Sequence, residues 1–566
     1  MGGGVAGSTE KSGFSIPEEW MPKEESIPEV LERTASLHPD NDALVYPERG
    51  LRHSYREFNE LCGKLAKSLL ALGIKKGDRI AVWAYNVPEW VLLQFATAKI
   101  GAVLVTVNTS YKAKELEYLL KQSDSVALFL IQQFKDVNYV ETLYSVVPEL
   151  RGAEPGKLES GKLPLLKNVV FIGGGKHKGM LSFSEFAELG KEASDEELAE
   201  ARAQVKPHDV INMQYTSGTT GFPKGVMLTH YNIVNNARFI GKFQRLTHRD
   251  RMCIPVPFFH CFGCVLGTLG CVVAGATMVP VEIFNPQQVL DAVQSEKCTA
   301  LYGVPTMFIM ELNHEDFKKC DLSSLRTGVM AGSPCPVDTM RKTIELMNMK
   351  EITICYGLTE ASPVITQTAI DDPIEARVET VGKAHPNQEV RIVKPGTNLE
   401  QPRGTPGELV VRGYNVMKGY YKMPDKTKEA IDGQGFLHSK DLASMDESGY
   451  VKIHGRIDDM IIRGGENVYP REVEEFLYTN PKIKDSAVIG VPSGTYGEEV
   501  MAYIVLKKGK SATEEEIIKY CKENFSRYKA PRHVRFVEKF PLTASGKVQK
   551  FKLKEMALKE LGPGGN

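Results

Sequence analysis

Apolar positions in the first 380 residues alternate between helical and strand spacing. The stretch 55–74 has helical spacing, with apolar residues at Phe58, Leu61, Leu65, Leu69 and Leu72. A buried strand is predicted at 79–85, and a second helix and a strand at 103–107 repeat the unit. Similar alternation returns at 286–304 and 338–355. This rhythm predicts parallel sheets covered by helices.

The longest uncharged run lies between Arg251 and Glu282 and raises the question of a membrane span. Several prolines and His260 interrupt the run, which disfavours a span. We predict instead a buried helix at about 262–273, a turn at Gly275 and a short strand at 276–281.

The pattern changes beyond residue 380, where short strands separated by glycine and proline predict a β-rich unit. After GRIDD (455–459), a helix from Pro470, strands near 485–491 and 500–506, and an amphipathic helix at 513–525 predict a compact α+β unit.

The expected fold therefore combines α/β and α+β architecture in two domains. The first, residues 1–457, contains parallel α/β subdomains and a β-rich subdomain, and the second, residues 458–566, is a small mobile α+β C-terminal domain. The short charged junction between them suits a hinge.

Composition narrows the class of protein. The 566 residues include 70 basic and 71 acidic side chains, so no global field favours nucleic acid or an anionic membrane. Ten dispersed cysteines and the lack of a signal-like apolar N-terminal stretch favour reduced thiols and a cytoplasmic location. Cys261 and Cys264 form a CxxC pair, but no second pair accompanies it, which disfavours a zinc or redox site.

The segment 215–225, YTSGTTGFPKG, carries the strongest chemical signal. Its glycines allow the main chain to approach phosphate oxygens, its hydroxyls are donors, and Lys224 adds positive charge. It is not a Walker loop, because Gly225 follows the lysine where a hydroxyl residue is needed. A flexible linker is the alternative, but linkers rarely join apolar segments such as 210–214 and 226–230. The loop predicts a nucleotide site.

Four further motifs accompany this loop in a fixed order: YGLTE (356–360), GFLHSKD (435–441), GRIDD and PLTASGK (541–547). Together the five resemble the adenylate-forming superfamily of acyl-CoA synthetases, peptide-synthetase adenylation domains and beetle luciferases. The resemblance covers about residues 28–560. It implies ATP, Mg²⁺ and coenzyme A as cofactors.

The resemblance assigns a nucleotide site. It places the β- and γ-phosphates on Thr216, Ser217, Gly218, Thr219, Thr220, Gly221, Phe222, Pro223 and Lys224. Thr216 and Glu360 are expected at the magnesium ion, with Thr359 at the α-phosphate and Tyr356 stacked on adenine. Asp441 is expected at the ribose hydroxyls and Arg456 at the ribose or phosphate. The remaining nucleotide contacts implied are Gly332, Ser333, Pro334, Gly357 and Leu358.

Lys547 is the expected catalytic lysine, together with Glu360 and His260 as candidate catalytic residues. Carboxylate attack on the α-phosphate brings two anions together, and a bridging cation lowers that barrier. Related enzymes then rotate the C-terminal domain about a hinge matched here by Asp458. That rotation would present Gly464 and Gly465 to the thiol arm of coenzyme A.

The acyl pocket is expected at apolar and small positions, namely Phe259, His260, Val304, Met307, Phe308, Gly332 and Gly357. His260 could gate the carboxylate or line the pantetheine tunnel, and a buried core histidine is the alternative. Acetate-specific relatives carry tryptophan at the position of Gly357, so its missing side chain predicts a larger pocket. No aspartate stands where amino-acid-activating relatives place a counterion, which disfavours an amino acid substrate.

The sequence thus predicts an AMP-forming acyl-CoA synthetase acting on a medium-chain, branched, alicyclic or aryl monocarboxylic acid. Its expected partners are the acid, ATP and coenzyme A, without nucleic acid or a transmembrane segment, in a monomer or homodimer. Loading of an acyl group onto a carrier-protein phosphopantetheine is the alternative enzyme. A nucleotide-binding regulator without catalysis is disfavoured because Glu360, Asp441, Arg456 and Lys547 are all present.

Overall fold

The computed structural model describes residues 17–216, 223–333, 335–464, 466–524, 526–543 and 547–561. The strands of the first 209 residues are β1 (Asp42–Tyr46), β2 (Leu51–Ser54), β3 (Arg79–Trp83), β4 (Val103–Thr106), β5 (Ser125–Leu130), β6 (Gln133–Phe134), β7 (Val137–Asn138), β8 (Asn168–Phe171) and β9 (Leu181–Ser182). The helices are α1 (Ile27–Leu37), α2 (Tyr55–Ala71), α3 (Pro88–Lys99), α4 (Ala113–Gln122), α5 (Tyr139–Val146), α6 (Phe183–Leu189) and α7 (Asp195–Ala203).

Helix α2 confirms the predicted helix at 55–74, and its start has a local cause. The Ser54 hydroxyl accepts from the Glu57 amide at 3.3 Å, while the Glu57 carboxylate accepts from the Ser54 amide at 2.8 Å. This reciprocal capping box satisfies amides that have no partner inside the helix.

The next stretch contains the strands β10 (Val210–Thr216), β11 (Lys224–Thr229), β12 (Arg251–Ile254), β13 (Thr277–Pro280), β14 (Ala300–Gly303), β15 (Thr327–Ala331), β16 (Glu351–Gly357), β17 (Val364–Gln367) and β18 (Lys383–Ala384). Its α-helices are α8 (His230–Phe243), α9 (Gly270–Ala274), α10 (Pro286–Glu296), α11 (Pro305–Leu312), α12 (Val337–Leu346) and α13 (Ile374–Glu379). A nine-stranded sheet has the order β18-β17-β16-β15-β14-β12-β13-β1-β2, and its strands from β16 to β1 are parallel.

Two apolar cores lie on the faces of this sheet. Neighbouring residues of one strand join different cores: Val329 packs in the first core and Met330 in the second. This alternation follows from the opposite directions of successive side chains in a strand.

The apolar run between Arg251 and Glu282 is buried inside this domain, as predicted. Residues Phe262–Leu269 form a π-helix that continues into α9, and Gly275 ends it with φ +75° before β13. The wider π pitch was not predicted, because apolar spacing over eight residues does not separate it from an α-helix. Within the described ranges, no helix is long and apolar enough to cross a membrane.

The β-rich unit is confirmed as an antiparallel sheet. Its elements are β19 (Gln388–Val393), β20 (Gly407–Gly413), β21 (Gly419–Tyr420), α14 (Pro424–Ala430), β22 (Leu437–Met445) and β23 (Val451–Arg456). Strands β19, β20, β22 and β23 form that sheet. Strand β21 instead pairs with β11 and becomes the edge of an eight-stranded sheet of order β21-β11-β10-β4-β3-β5-β8-β9.

The C-terminal unit has the predicted α+β composition. Its elements are β24 (Ile461–Arg463), β25 (Glu466–Val468), α15 (Pro470–Tyr478), β26 (Ile483–Ser493), β27 (Gly497–Leu506), α16 (Glu514–Asn524), β28 (His533–Phe536) and α17 (Lys550–Leu561). The β26–β27 hairpin separates two small cores, because Val500 and Met501 point to opposite faces. Movement of this unit as a domain remains a prediction.

The buried carboxyl of Glu311 on α11 predicts how the stability of the fold depends on pH. The side chain is only 1% exposed, and its Oε2 has no hydrogen-bond partner among the described residues. Burial raises the pKa of this carboxyl from 4.5 to about 8. Since the unfolded chain loses the proton first, we expect the free energy of unfolding to fall as pH rises between these two values.

We expect Glu311→Gln to flatten this dependence, which has an upper limit of roughly 5 kcal/mol for the cited shift. Thermal melts at pH 5 and pH 8 measure it, and Glu315→Gln at an exposed position is the matched control. If Tm changes between pH 5 and pH 8 by the same amount in wild type and in Glu311→Gln, Glu311 does not cause the pH dependence of stability.

Candidate active site

The candidate site lies where parallel strands end. Thr216 ends β10, Gly357 ends β16, and Gly332 directly follows β15. Ligands in open α/β sheets bind outside the carboxyl ends of the strands, where loops and helix starts offer unpaired polar groups. The topology therefore brings together motifs that are more than 100 residues apart in the chain.

Glu360 is the centre of the part of this site where the phosphate contacts are expected, the phosphate side. Thr216 Oγ1 donates to Glu360 Oε1 at 3.3 Å, and Tyr420 OH donates to the same oxygen at 2.8 Å. Lys224 Nζ lies 4.3 Å from the centre of the Tyr420 ring. The structure thus brings Thr216, Glu360 and Lys224 together around Tyr420.

Other predicted phosphate contacts fall outside the described residues, namely Ser217, Gly218, Thr219, Thr220, Gly221 and Phe222. Pro223 is described, and its carbonyl accepts from Tyr118 OH at 3.0 Å. Burial lowers the pKa of Lys224, while Glu360 acts against this effect.

The oxygen atoms of Thr216 and Glu360 suit Mg²⁺, a hard cation. No group of three or more His, Cys, Asp or Glu side chains in the described part of the chain could hold a metal. Mg²⁺ is commonly held by one or two carboxylates together with substrate phosphates and waters. These residues therefore fit a metal that arrives with a nucleotide.

Asp441 is the centre of the part of the site where the nucleoside contacts are expected. Tyr356 OH donates to Asp441 Oδ2 at 2.6 Å, and Arg456 Nε lies 3.3 Å from Asp441 Oδ1. Asp441 and Arg456 are direct partners across β22 and β23. Burial raises the pKa of Asp441, and the Arg456 charge and the Tyr356 hydrogen bond oppose that rise.

The other predicted nucleotide contacts follow the neighbouring strands β15 and β16. Gly332 has φ +90°, and a Cβ there would lie 3.2 Å from Val304 Cγ1. Thr359 is buried, Leu358 is half-buried and Ser333 is exposed. Pro334 lies outside the described residues.

Lys547 comes from the C-terminal unit and reaches this cleft. The residue as a whole is exposed, and burial of its ammonium lowers the pKa of that group. Asp441 and Glu360 are close enough to oppose the fall, whereas Arg456 adds to it. Lys547 therefore lies within electrostatic range of both carboxylates of the site.

The expected acyl residues divide into two groups. Val304 and Met307 pack against the first core, and Phe259 and His260 are half-buried in the turn before the π-helix. Phe308 does not join them, because it is fully buried in the second core. The adjacent α11 residues Met307 and Phe308 thus meet different cores.

Gly357 has a packing role that the sequence does not show. A Cβ on this residue would lie 1.8 Å from the Pro363 carbonyl oxygen, so any side chain requires a backbone shift. A Gly357→Trp substitution would therefore disturb the fold before it closed a pocket.

Gln214 and Tyr420 were missed by sequence reasoning. Cys261 Sγ donates to Gln214 Oε1 at 3.0 Å, and Gln214 Nε2 donates to Cys264 Sγ at 3.3 Å, which ties β10 to the π-helix. The signal for Tyr420 was a tyrosine pair after Gly419 in a polar segment. Nothing local in the sequence indicates that β21 would pair with β11.

Comparisons with known proteins agree with this geometry. The family model described as AMP-binding enzyme matches residues 31–421, and the model for the AMP-binding enzyme C-terminal domain matches residues 472–547. This chain belongs to the AMP-binding enzyme family, in the adenylate-forming superfamily.

Its relatives include the putative acyl-CoA synthetase YngI of Bacillus subtilis, 56% identical over 94% of this chain and 97% of the relative. The human mitochondrial medium-chain acyl-CoA ligase ACSF2 is 42% identical over 95% of this chain and 88% of the relative. Among solved structures, the anthranilate CoA ligase AuaEII in complex with anthranoyl-AMP has a TM-score of 0.83 at 28% identity, with 95% and 98% of the two chains covered. ATP-bound MatB from Rhodopseudomonas palustris has a TM-score of 0.81 at 29% identity, with 95% and 100% covered.

The protein is an AMP-forming acyl-CoA synthetase, an acid-thiol ligase. Enzymes of this class use ATP and coenzyme A. The predicted family, fold class and enzyme class are thereby confirmed.

His260 provides a test of site electrostatics. Burial lowers its pKa from 6.5 to about 4, and the Lys547 charge adds to the fall. We expect a neutral imidazole throughout pH 5.5–8.0, with the His260 Cε1–H NMR resonance constant over that range. His260→Gln, which lacks the imidazole, assigns the resonance. A His260 midpoint near 6.5 would contradict a dehydrated environment.

Proposed function

We propose that this enzyme activates a carboxylic acid with ATP to an acyl-adenylate, releasing pyrophosphate, and then transfers the acyl group to coenzyme A, giving acyl-CoA and AMP. The approach of Lys547 to Asp441 and Glu360 carries this proposal, because it brings a cation from the C-terminal unit into the nucleotide cleft. The order of the two half-reactions and the residue roles below are parts of the proposal.

In the first half-reaction the acid carboxylate attacks the α-phosphate and pyrophosphate leaves. Both reactants are anions, so their approach is opposed unless fixed positive charge lies between them. Lys547 supplies that charge at the α-phosphate, and Lys224 neutralises charge on the leaving phosphates. Asp441 accepts hydrogen bonds from the ribose hydroxyls, and Tyr356 keeps its carboxylate oriented through the 2.6 Å hydrogen bond.

Thr216 and Glu360 would hold Mg²⁺, which offsets phosphate charge when it is bound with ATP. Thr359 would contact the α-phosphate. Tyr356 would still offer one ring face to adenine, since its hydroxyl alone is engaged by Asp441. These contacts hold the nucleotide in line with the incoming carboxylate.

In the second half-reaction the coenzyme A thiol attacks the carbonyl carbon of the mixed anhydride and AMP leaves. Rotation about Asp458 would withdraw Lys547 and bring the β24–β25 turn to the cleft. In that turn Gly464 has φ +59°, and a Cβ there would lie 3.1 Å from Tyr496 Cδ1. Gly465, its expected partner, lies outside the described residues.

The substrate is proposed to be a medium-chain, branched, alicyclic or aryl monocarboxylic acid. Val304 lies beside Gly332, and Phe259 and Met307 are half-buried apolar residues that could extend this surface. The ACSF2 relatives, 42% identical, are named medium-chain acyl-CoA ligases, which supports the same range. A neutral His260 adds no charge that would favour a dicarboxylate.

Lys547→Ala tests whether Lys547 acts in the first half-reaction and not in the second. We expect pyrophosphate exchange to fall by about a hundredfold or more, because fixed charge at the α-phosphate is lost. Thioester formation from supplied acyl-AMP should remain within about threefold of wild type. Lys552→Ala, exposed on α17, is the matched control. Equal losses in both half-reactions would refute the role given to Lys547.

A panel of straight-chain acids from two to sixteen carbons tests the proposed substrate range. We expect kcat/KM to be greatest in the middle of the panel, since each buried methylene contributes about 0.8 kcal/mol until the pocket is filled. Val304→Phe should shift the optimum to shorter acids without changing KM for ATP. An optimum at acetate, or an optimum unmoved by Val304→Phe, would contradict the proposed pocket.

A further inference from the structure

Tyr420 contacts two charged groups on the phosphate side of the cleft. Its hydroxyl donates to Glu360 Oε1 at 2.8 Å, and Lys224 Nζ lies 4.3 Å from the centre of its ring. The Tyr420 side chain therefore contacts a carboxylate through its hydroxyl and an ammonium through the face of its ring. Both contacts are favourable, one as a hydrogen bond to a charged acceptor and the other as a cation–π interaction.

The backbone of Tyr420 is fixed relative to both partners. Tyr420 is 6% exposed and pairs with Val226 in β11, the strand that begins at Lys224. Its amide donates to Thr427 Oγ1 at 2.9 Å, and the Met417 amide donates to the Glu360 carbonyl at 2.9 Å. The ring is therefore not free to follow either charged group if that group moves.

Lys224 and Glu360 carry opposite charges and lie near each other. Glu360 acts on Lys224 through its charge, yet no ion pair joins them among the described residues. A direct pair would neutralise both groups and would have to break before a triphosphate could bind. Tyr420 contacts both groups and stabilises each charge separately.

We propose that Tyr420 is a positioning residue that keeps Lys224 and Glu360 apart, so that the ammonium meets the triphosphate while the carboxylate meets its metal ion. This inference rests on the proposed function, because it assumes a triphosphate and Mg²⁺ at this site.

Binding of α,β-methylene-ATP tests the proposal without any chemical step. Calorimetry with Mg²⁺ and with EDTA gives two dissociation constants for each variant. For Tyr420→Phe we expect binding about three- to tenfold weaker with Mg²⁺, since Glu360 loses one donor. With EDTA the same variant should bind like wild type, because its ring still holds Lys224. Tyr420→Leu should weaken binding under both conditions.

The neighbouring Tyr421 is the matched control, because its hydroxyl donates to Asp124 at 2.8 Å, away from Glu360. Tyr421→Phe should bind the analogue like wild type. A double-mutant cycle then asks whether Tyr420 acts through Glu360. In a Glu360→Gln background, Tyr420→Phe should cause no further loss of Mg²⁺-dependent affinity.

The proposal is overturned if Tyr420→Phe binds like wild type with Mg²⁺, if its loss is equal with EDTA, or if its loss is additive with Glu360→Gln. If Tyr420→Leu does not fold, the Tyr420→Phe cycle decides alone. Acid-dependent pyrophosphate exchange by the wild type is measured separately. If the wild type shows no exchange, the proposed function is refuted. If the wild type shows exchange but Tyr420→Phe binds the analogue with unaltered affinity, only the role of Tyr420 is refuted.

Discussion

Lys547 brings a positive charge from the C-terminal unit into a cleft that contains the carboxylates of Asp441 and Glu360. These carboxylates are themselves fixed by neutral hydroxyls, Tyr356 on Asp441 and Tyr420 on Glu360. A site for a polyanion needs several charges that are oriented before the ligand arrives, because reorienting them during the reaction costs free energy. The tyrosines provide this orientation without changing the net charge of the cleft.

The positions of these groups follow from the way the sheets are assembled. Thr216 ends a strand of the eight-stranded sheet, whereas Glu360 lies in a short 3-10 helix (Thr359–Ala361) that follows β16 of the nine-stranded sheet. Tyr420 joins them from β21, a two-residue strand at the edge of the first sheet. The phosphate side of the site thus exists only when both sheets are packed and β21 is paired. If that packing is lost, the side chains of Thr216, Glu360 and Tyr420 move apart although none of these residues has changed.

Buried polar contacts strengthen the junction beneath the site. Gln214 contacts the thiols of Cys261 and Cys264, while Gln94 Nε2 donates to the Cys264 carbonyl at 2.7 Å. Burial raises the pKa of both thiols, so they remain protonated and serve as hydrogen-bonding groups. The CxxC pair thus has a structural explanation that needs neither metal nor disulfide. It ties the strand that leads to Thr216 to the helix that follows His260.

The sequence by itself determined the local structure and the inventory of reactive groups. Apolar spacing predicted α2 and the buried run at 262–273, and five ordered motifs placed Glu360, Asp441 and Lys547 in one enzyme family. The tertiary structure decided which side chains meet. It directed the Tyr356 hydroxyl to Asp441, buried Phe308 in the second core and brought Tyr420 into contact with Lys224 and Glu360. Local spacing specifies the face of an element on which a residue lies, but the partner of that face comes from distant segments and is chosen by packing.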